Sequence, residues 1–180
     1  MGQYYNVYFK DEKGVTVYDR SVDGEYTMAK LTEHSWWYNP FMSAMCKKIY
    51  HHPAQIAWVG DYSDFEHYEE VWGENAKLQG VHESDFTLDG KYLVNHSKKE
   101  YLDGTKYFVE CAEKEDDENN EEVKWCLHPL SLLTATGNGR GGGDYHGINK
   151  NFVGIWCMDE LSIEDYIPSG YEECFYRFYC

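Results

Sequence analysis

Eight residues, Gly137-Asn138-Gly139-Arg140-Gly141-Gly142-Gly143-Asp144, have the spacing in this chain that points most directly to chemistry. Gly137, Gly139 and Gly142 satisfy G-x-G-x-x-G, in which glycines let backbone N–H groups close on a pyrophosphate. That chemistry also needs a strand before the glycines and a helix after them, so that the phosphate meets a helix N-terminus. Tyr145-His146-Gly147-Ile148-Asn149-Lys150 follows instead, with further turn residues, and the dinucleotide pattern fails. No Lys-Ser or Lys-Thr pair follows the glycines, so a P-loop fails as well. Two readings remain. In one, Gly139, Arg140, Gly141, Asp144 and His146 form a ligand loop whose N–H groups and guanidinium contact a phosphate or nucleotide. In the other, the glycines serve a tight structural turn, because they adopt positive φ at little cost.

Other reactive residue types are present without a local signature. His51 and His52 are adjacent and point apart, and Cys126 and His128 have no second pair at finger-like spacing, so no metal site is expected. The six cysteines are scattered without a C-x-x-C pair and read as reduced thiols of an intracellular chain. A Cys–His or Ser–His nucleophile would have to assemble in space, and no G-x-S-x-G elbow supports one. No enzymatic activity and no cofactor are expected.

Charge is the strongest compositional feature. Asp plus Glu number 32 against 16 Lys plus Arg, a formal net charge of −16 over 180 residues. Such a field repels nucleic acid and anionic membranes and draws cationic surfaces in. Seven acids, Glu113, Glu115, Asp116, Asp117, Glu118, Glu121 and Glu122, fall in the apolar-free run EKEDDENNEE. The run lacks the order of a calcium-binding loop. It reads as a self-repelling loop at about 113–122, either solvated or used as a partner-binding surface. Seventeen tyrosines and six tryptophans add side chains suited to half-buried sheets and interfaces.

The elements that must position these residues are mostly strands. Residues 3–20 alternate around Asp11-Glu12-Lys13-Gly14 and predict a hairpin, with Tyr5, Val7 and Phe9 on one face. Asn39-Pro40 predicts a helix start, followed by Phe41, Met42, Met45 and Ile49 at helical spacing. Residues 55–59 read as a buried strand. Ser63-Asp64-Phe65-Glu66 matches a capping box for a short helix with Phe65, Tyr68 and Trp72 on one face. Residues 92–95 and 107–111 read as paired strands, and residues 123–127, 152–158 and 171–180 as further ones. The whole predicts a single α+β domain over 1–180, mainly an antiparallel sheet with one or two packed helices. Residues 1–10 lack the basic start and apolar run of a signal peptide, and no stretch is long and apolar enough to span a membrane.

Residues 1–5 (MGQYY), 56–62 (IAWVGDY), 140–144 (RGGGD) and 152–161 (FVGIWCMDEL) resemble a small family of bacterial and phage proteins of undefined function. The four segments cover about a sixth of the chain, and the resemblance implies no catalytic residue. In charge and size the chain is also similar, by class alone, to acidic anti-CRISPR inhibitors. That likeness implies a phage-type inhibitor in the cytoplasm of a bacterial host. It would bind a basic nucleic-acid-binding enzyme, foremost a CRISPR nuclease of Cas9 type, and would not itself bind DNA tightly. The alternative is a protein that binds or sequesters a nucleotide signal through the glycine-rich loop.

Overall fold

The computed structural model of the chain describes residues 1–22, 25–27, 29–64, 77–81, 84–116 and 122–178. Strand β1 (Tyr5–Asp11) and strand β2 (Gly14–Val22) make the expected hairpin, in register from Val7↔Tyr18 to Asp11↔Gly14. The other edge of β1 takes β4 (Ala54–Gly60), antiparallel, from Tyr5↔Gly60 to Lys10↔Gln55. Alternation decides what each face buries. Tyr5, Val7, Phe9, Ile56 and Trp58 enter the main core, whereas Tyr8, Ala57 and Val59 pack with Val17 in a smaller cluster.

The remaining strands extend this centre. They are β3 (Glu25–Thr27), β5 (Lys77–Val81), β6 (Tyr92–Asn95), β7 (Glu100–Asp103), β10 (Ala135–Thr136), β11 (Glu160–Glu164) and β12 (Glu172–Glu173). The sheet runs β12-β7-β6-β11-β4-β1-β2-β3. Short β10 pairs parallel with β4, and β5 parallel with β2. Strands β8 (Glu113–Asp116) and β9 (Glu122–Trp125) stand apart as a separate antiparallel pair. The fold is α+β with a mostly antiparallel sheet.

Three helices are described. Helix α1 (Pro40–Lys48) starts as its sequence predicts, with the Asn39 side chain accepting from the Phe41 N–H at 2.9 Å and Pro40 in the first turn. Residues 41–46 are all buried, and Lys47 and Lys48 sit at the negative end of the dipole. Helix α3 (Pro129–Thr134) is capped by His128, whose ring accepts from the Leu130 N–H at 3.1 Å.

Several expectations are corrected. Residues 107–111 are not a strand. They belong to helix α2 (Gly104–Cys111), and β6 pairs instead with β7. Asp103 caps this helix by accepting from the Lys106 N–H at 3.0 Å. Tyr107, Phe108 and Cys111 then face inward while Val109 faces out, so capping and a helical apolar stripe override the β-propensity of the side chains. Residues 152–158 are also not a strand. A 3₁₀ turn (Lys150–Phe152) leads into successive turns, because Gly154 (φ +83°) and Met158 (φ +68°) are left-handed. A Cβ at Gly154 would lie 2.3 Å from the Ala135 carbonyl oxygen, so only glycine fits. Among the described residues at the C-terminal end only β12 is a strand; the Cys174 N–H still donates to the Tyr101 carbonyl of β7 at 2.8 Å, and Arg177 and Phe178 are buried beyond the strand. The acidic run is strand at both ends, in β8 and at Glu122. Asp117, Glu118 and Glu121, and the helix expected after Ser63, lie outside the described residues.

Candidate functional site

The glycine-rich loop closes on its own carboxylate. Asp144 Oδ2 accepts from the N–H groups of Gly139 (2.7 Å), Arg140 (2.9 Å) and Gly141 (2.9 Å). Its Oδ1 accepts from the Tyr5 hydroxyl at 2.7 Å. Gln3 Nε2 donates to that hydroxyl oxygen at 2.8 Å and to the Gly137 carbonyl at 3.0 Å. Burial, aided by the Asp144 carboxylate, pushes the Tyr5 phenol far above its ordinary range, so it stays a neutral donor. Gly137 and Gly139, at φ +90° and +92°, supply the curvature that turns three N–H groups inward. The arrangement is an anion-binding nest already filled from within. Arg140 does not face it: its guanidinium donates to the Tyr62 carbonyl at 2.6 Å and lies 3.3 Å from Asp64. His146 is exposed nearby.

Three of the segments singled out by resemblance meet at this point. The Gln3 N–H donates to the Gly142 carbonyl at 2.7 Å, and the Gly142 N–H to the Met1 carbonyl at 2.9 Å. Asp61 accepts from the Tyr4 N–H through its side chain at 3.1 Å and donates its own N–H to Tyr4. Residues 1–5, 56–62 and 140–144 therefore form one hydrogen-bonded unit that fixes the start of the chain to the sheet.

Two pairs with nucleophile chemistry also assemble in space. Cys46 Sγ lies 3.3 Å from His128 Nε2. Because His128 Nδ1 accepts from Leu130, the proton of the neutral ring sits on Nε2 and points at the sulfur. Burial lowers the His128 imidazole to about 3 and raises the Cys46 thiol, so neither partner ionises. Trp37 stacks on His128 at 5.2 Å, and both residues are inaccessible. The pair is a core contact and cannot act as a thiolate nucleophile.

Ser162 and His96 approach to 2.7 Å. The Ser162 hydroxyl is given to Glu164 Oε1 at 2.7 Å, so His96 can only donate to it and does not act as its base. Glu164 Oε2 meets His51 Nδ1 at 2.7 Å, and His51 Nε2 meets Asp165, which accepts from Tyr50 at 2.6 Å. The hydrogen bond to Glu164 is the main cause that raises the His51 imidazole above its ordinary value, and Asp165 adds to it. This relay ties the end of α1 to β6 and β11. The three stretches that meet, residues 50–51, His96 and residues 162–165, are tens of residues apart in sequence, so spacing gave no signal for them. Among the described residues no group of three or more His, Cys, Asp or Glu could hold a metal ion.

A groove of about 640 Å³ lies by the β1–β2 turn. It sets Lys10, Lys13 and Lys48 against Asp11, Glu12 and Glu160, which leaves no net field for an anion. No protein-family model, curated protein or solved structure matches the chain.

What remains chemically distinctive is the pair of acidic strands and the aromatic residues at its foot. Glu113 pairs with Trp125, Glu115 with Val123 and Asp116 with Glu122 across β8 and β9. At the base, the half-exposed Trp125 ring meets Trp36 edge-on at 5.6 Å. The half-exposed Tyr38 meets Phe108 at the same separation. No described helix is long and apolar enough to cross a membrane.

Proposed function

We propose that this chain is an acidic inhibitor that docks on a basic nucleic-acid-binding protein and covers its nucleic-acid site. The observation that carries this reading is the charge: −16 overall, with seven acids among ten consecutive residues, part of them on a hairpin that stands off the main sheet. A dense run of carboxylates attracts a cationic groove from a distance and speeds encounter with it. A CRISPR nuclease of Cas9 type is the first partner to test, since it holds its heteroduplex in a positively charged channel and reads the PAM with arginines. The nucleotide-binding alternative receives less support, because the loop N–H groups that would hold a phosphate already bond Asp144.

The test mixes the purified protein with guide-loaded Cas9-type nucleases and measures target-DNA binding at about 0.1 M and about 0.5 M salt. The expected result is loss of DNA binding at low salt that is largely restored at high salt. DNA binding unaffected across the panel at both salts would remove these nucleases as targets, and a panel of other basic nucleic-acid-binding proteins would follow.

A further inference from the structure

The foot of the acidic hairpin is an exposed, mainly aromatic shelf. Tyr38 is 46% exposed and Trp125 45%, and Trp36 is half-buried against Trp125. Single exposed apolar residues need no explanation, but these sit on two neighbouring segments, residues 36–38 and 125–127. Backbone pairing holds them there. Trp36 bridges Leu127, and the Trp37 N–H donates to the Cys126 carbonyl at 2.7 Å. Trp37 points inward, stacked on Tyr107 and His128, which leaves its neighbours Trp36 and Tyr38 toward the surface. The Trp36–Trp125 contact across this pairing fixes the rings before any partner arrives, which lowers the ordering cost of binding.

We infer that this shelf anchors arginine side chains of the basic partner, an inference that rests on the inhibitor function proposed above. Charge complementarity selects the occupant. Trp125 sits in register with Glu113, at the root of a run with seven acids, so a docked chain enters a strongly negative field. A second copy would bring another −16 charges to the same place, and nucleic acid would be repelled. An apolar segment would leave the carboxylates uncompensated. A guanidinium suits both parts of the surface: it lies flat on an indole face and offers a planar fork to a carboxylate. A lysine ammonium offers a strongly hydrated point charge and gains less from the rings.

The experiment compares nona-arginine with nona-lysine by fluorescence anisotropy at about 0.1 M salt. The wild-type protein should bind the arginine peptide about fivefold tighter or more, the effect expected of one or two guanidinium–indole contacts. A Trp36→Ala/Trp125→Ala variant should lose that preference and keep weaker, salt-sensitive binding of both peptides. Trp125→Phe should retain much of the preference, because a ring remains. Thermal melts verify folding, and Trp125→Ala alone decides the question if the double variant does not fold. Equal binding of the two peptides by the wild type, or a preference that survives removal of the rings, overturns the shelf and leaves the inhibitor reading standing. Failure of both peptides to bind overturns the two together.

Discussion

With three loop N–H groups on one oxygen and the Tyr5 hydroxyl on the other, the Asp144 carboxylate stands where an external phosphate would sit. Removing it strands three part-buried N–H donors and the buried Tyr5 hydroxyl, and Asp144 is itself 5% exposed. Asp144→Ala should therefore lower stability by about 2–4 kcal/mol, read as a shift in urea midpoint. Arg140→Ala, whose partners Tyr62 and Asp64 lie at the surface, should stay within about 1 kcal/mol. Equal costs for the two substitutions would contradict the assignment of the nest to Asp144. His51 and His128 titrate in opposite senses. The His51 imidazole is raised by Glu164 and Asp165, so its contribution is full below the ordinary 6.5 and is lost as pH rises through the higher folded value. The His128 imidazole is lowered by burial to about 3, so it favours unfolding as pH falls from about 6.5 toward 3. His51→Gln should accordingly lose its stability difference from wild type as pH is raised well above 6.5. In that background, stability should fall on acidification below pH 6.5. A His51→Gln difference independent of pH would show that the Glu164 contact is electrostatically idle.

At the scale of elements, the acidic run that begins in β8 and ends at the start of β9 has no apolar residue to bury. Replacing its seven acids by Gln or Asn relieves repulsion and removes no apolar side chain, so stability should move by no more than about 1 kcal/mol. Association with a basic partner should slow, and its salt dependence should flatten, because the long-range attraction has been removed. Surface-plasmon kinetics at two ionic strengths give the answer, and an unchanged on-rate would end the claim for this run. The turns at residues 152–158 behave oppositely. The Gly154 N–H donates to the Leu132 carbonyl at 2.8 Å while its Cα faces Ala135 at left-handed φ. Gly154→Ala should thus cost about 2 kcal/mol or more in a denaturant melt, through strain and overpacking of β10.

For the molecule as a whole, a net charge of −16 is a statement about partners, whatever the fold. Duplex binding requires lysines and arginines that displace counterions, and here acids outnumber them two to one. A gel-shift at about 0.1 M salt should show no retarded duplex, with a tight shifted band as the contrary result. The groove by the β1–β2 turn offers duplex no basic patch either, since its three lysines are matched by three acids.

Sequence alone determined the features that depend on near neighbours. The β1–β2 hairpin follows from period-two alternation around Gly14, α1 from Asn39-Pro40 and its apolar stripe, and β4 from a short apolar run between turns. Charge is a sum over residues and needs no coordinates. Tertiary structure decided what depends on distant neighbours. Residues 107–111 carry β-prone side chains, yet the Asp103 cap and an inward helical face make them helix. Residues 152–158 are apolar enough for a strand, but their hydrogen bonds go to Leu132 and Leu133 of α3 and to Ile56 of β4. The glycine-rich loop had two readings in sequence because its N–H groups could face a ligand or the chain. Contacts spanning up to 139 positions, from Tyr5 and Gln3 to Asp144 and Gly137, turned them toward the chain. The aromatic shelf was equally hidden, since Trp36 and Trp125 become neighbours only when the backbone at 36–37 pairs with that at 126–127.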